Sequence, residues 1–91
     1  HTILDSYSAG QRIASFLLGV SSRYARVGLS PTRFHLPMTR GDIGEYLGLT
    51  VETVSRLFTA LQKKGLISVD NREIALLEKD ELRAIVGADE F

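Results

Sequence analysis

Arg56 carries a planar fork of donors, Glu52 four positions earlier offers carboxylate acceptors, and Ser55 can do either. A guanidinium matches the O6 and N7 acceptors of a guanine edge, a carboxylate accepts from a cytosine amino group, and a hydroxyl meets a thymine edge. Glu52 and Arg56, four apart in the favourable order, equally suit a surface ion pair worth about 0.2–0.5 kcal/mol. The two readings are compatible, since such a pair would hold the fork in place. Thr39, Arg40, Thr50 and Thr53 carry donors suited to phosphate oxygens, contacts that place a protein on a duplex without reading it. Thr39 and Thr50 serve equally well as helix caps alone.

A helix has to display these groups. It turns about 100° per residue, so Glu52, Ser55, Arg56, Thr59 and Lys63 fall on one stripe. Val54, Leu57, Phe58 and Leu61 fall on the opposite, core-facing stripe. Thr50 is placed to cap the start, Glu52 suits the positive end, and Gly65 suits a left-handed residue closing a helix of about 51–64. Lys63 and Lys64 read as solvated charges at its far end. Just upstream, Thr39 and Asp42 resemble a capping box. Ile43 and Leu47 form an inward ridge, Gly44 leaves room for a close crossing, and Gly48 permits a tight turn. Together the two segments have the spacing of a helix-turn-helix, whose helices cross at about 90–120°.

The remaining chain supplies a scaffold. Ile13, Phe16, Leu17, Val20, Tyr24 and Val27 recur at helical steps and predict a long amphipathic helix from about Ser8 to Val27. Arg12, Arg23 and Arg26 lie mostly off that stripe and read as a solvated basic side. Gly28 to Pro31 ends the helix, and Arg33 to Met38 predicts a small strand leading into the two-helix unit. Leu66–Val69 and Glu73–Leu76 around Asp70-Asn71-Arg72 predict a hairpin, and a hairpin in that place is a wing. Lys79–Val86 predicts a last short helix ended by Gly87, with 88–91 a loose tail. Residues 1–7 have no period and begin abruptly, as expected of a piece of a longer protein. The expected organisation is a connecting helix over 1–28 and a winged helix-turn-helix over 29–91, mainly α with a small β-hairpin, in one compact unit.

Composition excludes several classes. The 91 residues include no cysteine, which removes disulfides and thiolate chemistry, and no apolar run approaches the about 18 residues of a membrane span. No signal peptide is visible. His35 stands isolated and His1 is terminal, so no metal-ligand spacing exists. The glycines of 41–48 lack the Gly-Lys-Ser/Thr of a phosphate loop, and Glu78, Asp80 and Glu81 read as ordinary acids of a helix start. An enzyme is not expected. Net charge is zero, yet it is segregated: residues 1–32 and 33–65 each carry a basic excess of two, while 66–91 hold three basic against seven acidic side chains. One copy with so small an excess is expected to bind DNA weakly and with strong salt dependence.

The segment FHLPMTRGDIGEYLGLTVETVSRLFTALQKKGLI resembles the DNA-binding domain of the CRP/FNR family of bacterial transcription regulators, in its FNR/FixK-like branch. SSRYARVGLSP upstream, and the hairpin and short helix downstream, extend the likeness over nearly the whole chain. The resemblance implies that Glu52, Ser55 and Arg56 read bases, because the Glu-x-x-Ser-Arg arrangement is intact. CAP-like members carry arginine where this chain has Val51. An apolar residue there implies a thymine methyl neighbour and a half-site like TTGA(T/C) rather than TGTGA. It further implies a homodimer on a palindrome, joined through an N-terminal region with a sensory β-barrel and long helix not in this chain. Double-stranded DNA and RNA polymerase are the implied partners, the cytoplasm the implied location, with no cofactor in this domain and no membrane. The alternative is a winged-helix module whose exposed face binds polymerase or another regulator.

Overall fold

The computed structural model describes residues 8–87; the aperiodic start at 1–7 and the tail expected at 88–91 lie outside the described residues. In chain order the elements are α1 (Ala9–Arg26), β1 (Arg33–His35), α2 (Arg40–Leu47), α3 (Val51–Lys63), β2 (Ile67–Asp70), β3 (Glu73–Leu76) and α4 (Lys79–Gly87). The strands make one antiparallel sheet in the order β1-β3-β2. The architecture is a winged helix-turn-helix: α2 and α3 form the two-helix unit, β2 and β3 the wing, and α4 packs along α1.

α1 starts at a reciprocal cap. Ser8 Oγ accepts from the Gln11 N–H at 3.2 Å, and Gln11 Oε1 accepts from the Ser8 N–H at 2.8 Å. Ile13, Phe16, Leu17 and Val20 are buried as the stripe requires, and Tyr24 is half-buried. Val27 departs from that expectation and is 71% exposed. The helix stops at Arg26, and Val27 turns out of helical geometry at φ −99°, ψ 15°. The N–H groups of Gly28 and Leu29 then close the helix on the carbonyls of Ala25 and Tyr24, at 3.1 and 2.9 Å.

The same double closure ends α3. Gly65 and Leu66 donate to the carbonyls of Gln62 and Leu61, each at 3.0 Å. The Leu66 N–H is thereby taken by the helix, so β2 begins at Ile67 rather than at Leu66 as the sequence suggested. Asp70 pairs directly with Glu73, which narrows the wing turn to Asn71 and Arg72, with Asn71 left-handed at φ 61°. β1 is shorter than the expected 33–38 and joins β3 on its other edge, turning the hairpin into a three-stranded sheet. Beyond His35 the ladder has reached that turn. Leu36 donates to the Arg72 carbonyl at 2.8 Å, and Pro37 has no N–H to offer.

The core lies where all these elements meet: Ile13, Leu17, Leu36, Ile43, Val54, Ile67 and Leu82 are each at most 1% exposed. Val54, Phe58 and Leu61 are buried and Leu57 half-buried, as the α3 pattern requires. α4 takes in Gly87, one residue further than expected.

The backbone of α2 lies directly against the turn that leads into α3. A methyl added at Gly44 would lie 2.4 Å from the Leu49 carbonyl oxygen, and the Leu49 N–H donates to the Gly44 carbonyl at 2.8 Å. Gly48 makes the turn at φ 75°, a conformation that costs glycine least. Gly44→Ala is therefore expected to destabilise the chain by about 1–3 kcal/mol, because backbone must move to admit the methyl. Gly19→Ala, inside α1 with nothing within 4 Å of the new carbon, should stabilise it by about 0.5–1 kcal/mol. Thermal unfolding of the two variants decides; a Gly44→Ala chain as stable as its parent would disprove the close approach of Gly44 to the turn.

Candidate nucleic-acid interface

The inner face of α3 is fixed by burial, which leaves the other face no choice of direction. Glu52, Ser55, Arg56, Thr59 and Lys63 are all exposed on it, and Val51 at its first position is 45% exposed. Lys64 is exposed as well.

A row of hydroxyls runs along the start of this helix. The Thr53 N–H donates to Thr50 Oγ1 at 3.1 Å, which is the cap. The Thr50 hydroxyl donates to Thr53 Oγ1 at 3.0 Å, and Arg56 Nη2 donates to the same oxygen at 3.2 Å. Thr53 thus accepts twice and keeps its own proton to give. The ion pair between Glu52 and Arg56 is not made; among the described residues Asp80 pairs with Arg83, and Glu73 meets the His35 imidazole. The guanidinium is taken by the hydroxyl three positions back. Glu52 stays solvated in the first turn, where the helix dipole already favours an anion.

Thr39 caps α2, accepting from the Asp42 N–H at 3.1 Å, while Asp42 Oδ2 accepts from the Thr39 N–H at 3.2 Å. Both Thr39 and Thr50 are caps and are also exposed. Arg40 is half-buried and has partners within the chain. Its guanidinium lies 4.7 Å from the centre of the Phe58 ring, and Nη2 donates to the Asn71 carbonyl at 2.7 Å. Burial, and after it the charge of Arg72, hold the Arg40 pKa below the ordinary arginine value. Arg72 donates to the Pro37 carbonyl at 3.3 Å. Side chains from α2 and from the wing turn therefore tie each to the other's neighbourhood.

Several of these residues leave no periodic trace in the sequence. Arg72 is a turn residue, Gln11 a polar side chain in the buried part of α1, and Arg12 had read as solvated. That reading of Arg12 is corrected: it is half-buried, and Nη1 donates to the Leu47 carbonyl at 3.0 Å. Arg23 and Arg26 are exposed as expected. His35 is likewise not isolated, for Nδ1 meets Glu73 Oε2 directly across the β1–β3 pair. Asp80 and Glu81 lie in the first turn of α4, Asp80 pairing with Arg83 at 2.7 Å. Among the described residues no three His, Asp or Glu side chains gather as metal ligands do.

The chain matches the Crp-like helix-turn-helix domain family over residues 11–85. Over 85 residues it is 47% identical to the fumarate and nitrate reduction regulatory protein of Salmonella typhimurium, covering 93% of this chain and 34% of that protein. The transcriptional activator protein anr of Pseudomonas aeruginosa is also 47% identical over 85 residues, with 93% and 35% covered. The chain spans about a third of the length of these relatives. The structure of FixK2 from Bradyrhizobium japonicum superposes with a TM-score of 0.82 at 38% identity, covering 97% of this chain and 43% of that one. The catabolite activator protein of Thermus thermophilus gives a TM-score of 0.67 at 28% identity, covering 88% and 34%. Sequence and fold agree over nearly the whole length, and the chain belongs to the CRP/FNR family, as one of its Crp-like helix-turn-helix domains.

Proposed function

We propose that this chain is the DNA-reading domain of a bacterial transcription regulator, with α3 lying in the major groove of a palindromic TTGA-type site as one half of a dimer. The observation that carries it is the outward stripe of α3, where donor and acceptor side chains stand exposed on a helix anchored from behind by Val54, Phe58 and Leu61. Arg56 would take guanine O6 and N7, Glu52 a cytosine amino group, Ser55 a thymine edge and Val51 a thymine methyl. Thr39, Arg40, Thr50 and Thr53 would meet phosphates, Arg40 while also holding the wing. The family relatives named above are regulators rather than enzymes, and nothing in this role requires a cofactor in this domain.

Dimerisation through a region outside this chain, contact with RNA polymerase and a cytoplasmic location belong to the same proposal. The small basic excess of residues 1–65 favours use as a dimer. One copy offers few cations to phosphates, and doubling them raises affinity while two-fold symmetry demands a palindrome. The two α3 helices would sit about 34–36 Å apart, one turn of the duplex. No helix among the described residues is long and apolar enough to cross a membrane.

The deciding experiment titrates the intact dimeric regulator with palindromic and scrambled duplexes at two salt concentrations. A preference for the palindrome that survives the higher salt is expected, and its absence would sink the proposal. Arg56→Ala should cost about 1–3 kcal/mol on the best site and erase the preference for its guanine; retained guanine preference would show the assignment to be wrong. Val51→Arg should move the preferred half-site from TTGA toward TGTGA, measured by competition between the two duplexes. An unchanged preference would mean that Val51 does not face a base.

A further inference from the structure

Consecutive side chains at the start of α1 hold the ends of two other helices. Gln11 Nε2 donates to the Ile85 and Val86 carbonyls of α4, each at 3.3 Å. Arg12 Nη1 donates to the carbonyl of Leu47, the last residue of α2, at 3.0 Å. Final carbonyls of a helix lack internal partners and carry partial negative charge, so a guanidinium there is doubly favoured.

The Arg12 contact falls at the point that sets α2 against α3. Leu47 leads into Gly48, whose left-handed backbone makes the turn. Around the place where a side chain at Gly48 would begin, Arg12 Nη1 at 3.4 Å is the neighbour found within 4 Å. Two residues on, Thr50 opens the hydroxyl row that ends at Arg56. We infer that Arg12 is a positioning residue for the reading face of α3: it acts through the α2–α3 turn, from α1, rather than by touching the duplex. The inference rests on the DNA-reading proposal above. Loss of the guanidinium would leave the Leu47 carbonyl without this donor and remove one polar tie between α1 and the turn. Gln11 is its built-in control, the adjoining residue making the same kind of contact to a helix end remote from that turn.

The test uses the intact dimeric regulator carrying Arg12→Ala, Arg12→Lys or Gln11→Ala, with affinity for palindromic and scrambled duplexes measured at two salt concentrations beside the thermal midpoint. Arg12→Ala should weaken palindromic binding roughly three- to thirty-fold. Its affinity for the scrambled duplex and the salt slope should stay at wild-type values. Arg12→Lys should recover part of the loss, since an ammonium still donates to the carbonyl. Gln11→Ala should lower the thermal midpoint and leave palindromic affinity unchanged. The inference is overturned if Arg12→Ala binds the palindrome like wild type, or if Gln11→Ala loses as much, which would reduce the effect to stability. An equal loss on both duplexes with a shallower salt slope also overturns it, making Arg12 a phosphate contact. A wild-type regulator with no palindromic preference overturns the parent proposal, and that failure is recognisable because it precedes any substitution.

Discussion

Residue 44 has no room for a side chain, because the carbonyl oxygen of Leu49 occupies the place where one would start. That approach brings the backbone of α2 against the segment entering α3, and much else is a consequence. With the two helices so close, Ile43 and Leu47 on one and Val54 and Phe58 on the other are all buried in a single core. Once the inner stripe of α3 is buried, its period decides which residues point outward. The outward direction of Arg56 and Glu52 follows from that burial, and the close turn beside Gly44 is part of what makes room for it.

Polar groups at the helix ends complete the job that packing begins. The starts of α2 and α3 are capped by Thr39 and Thr50, and those same threonines are exposed. A cap satisfies backbone donors that burial alone would strand, and it leaves a hydroxyl at the positive end of a dipole. At the opposite ends the solution differs. α1, α2 and α3 turn back on their own carbonyls through Gly28, Gly48 and Gly65, and late carbonyls of α2 and α4 also receive side chains from α1.

This division explains what could be read from the chain and what could not. Local hydrogen bonds have fixed spacings, so Thr39 with Asp42, Thr50, and the glycines at 48 and 65 announced their elements in sequence. The buried stripes of α1 and α3 were equally legible, because burial follows a period of 3.6 residues. Contacts between distant segments have no spacing to recognise. Arg12 donates to a residue 35 positions away and Gln11 to residues 74 and 75 away, and each is polar where the stripe pattern sees only a non-core residue. Val27 fails for the converse reason: it continues the apolar period, but the double closure at Gly28 and Leu29 ends the helix before it arrives. The strand at β1 was legible, but its pairing with β3, about 40 residues away, was not, for the same reason as the contacts of Arg12 and Gln11.

The partner of Arg56 also bears on how the proposed base contact would be made. Had the guanidinium paired with Glu52, guanine would have to compete with a carboxylate for a charge-assisted bond, the stronger kind. Instead the fork rests on the neutral hydroxyl of Thr53 through one nitrogen, at 3.2 Å. Neutral acceptors bind less strongly, so little is lost when the fork turns to a base edge, and among the described residues no ion pair cancels its charge. Glu52, equally unpaired, keeps its acceptors for a cytosine amino group. Thr53 is meanwhile anchored to Thr50, so the arginine begins from a defined place on the first turns of α3. A side chain held lightly in register reaches its target without the full entropy cost of ordering a free one, which for arginine is about 2 kcal/mol.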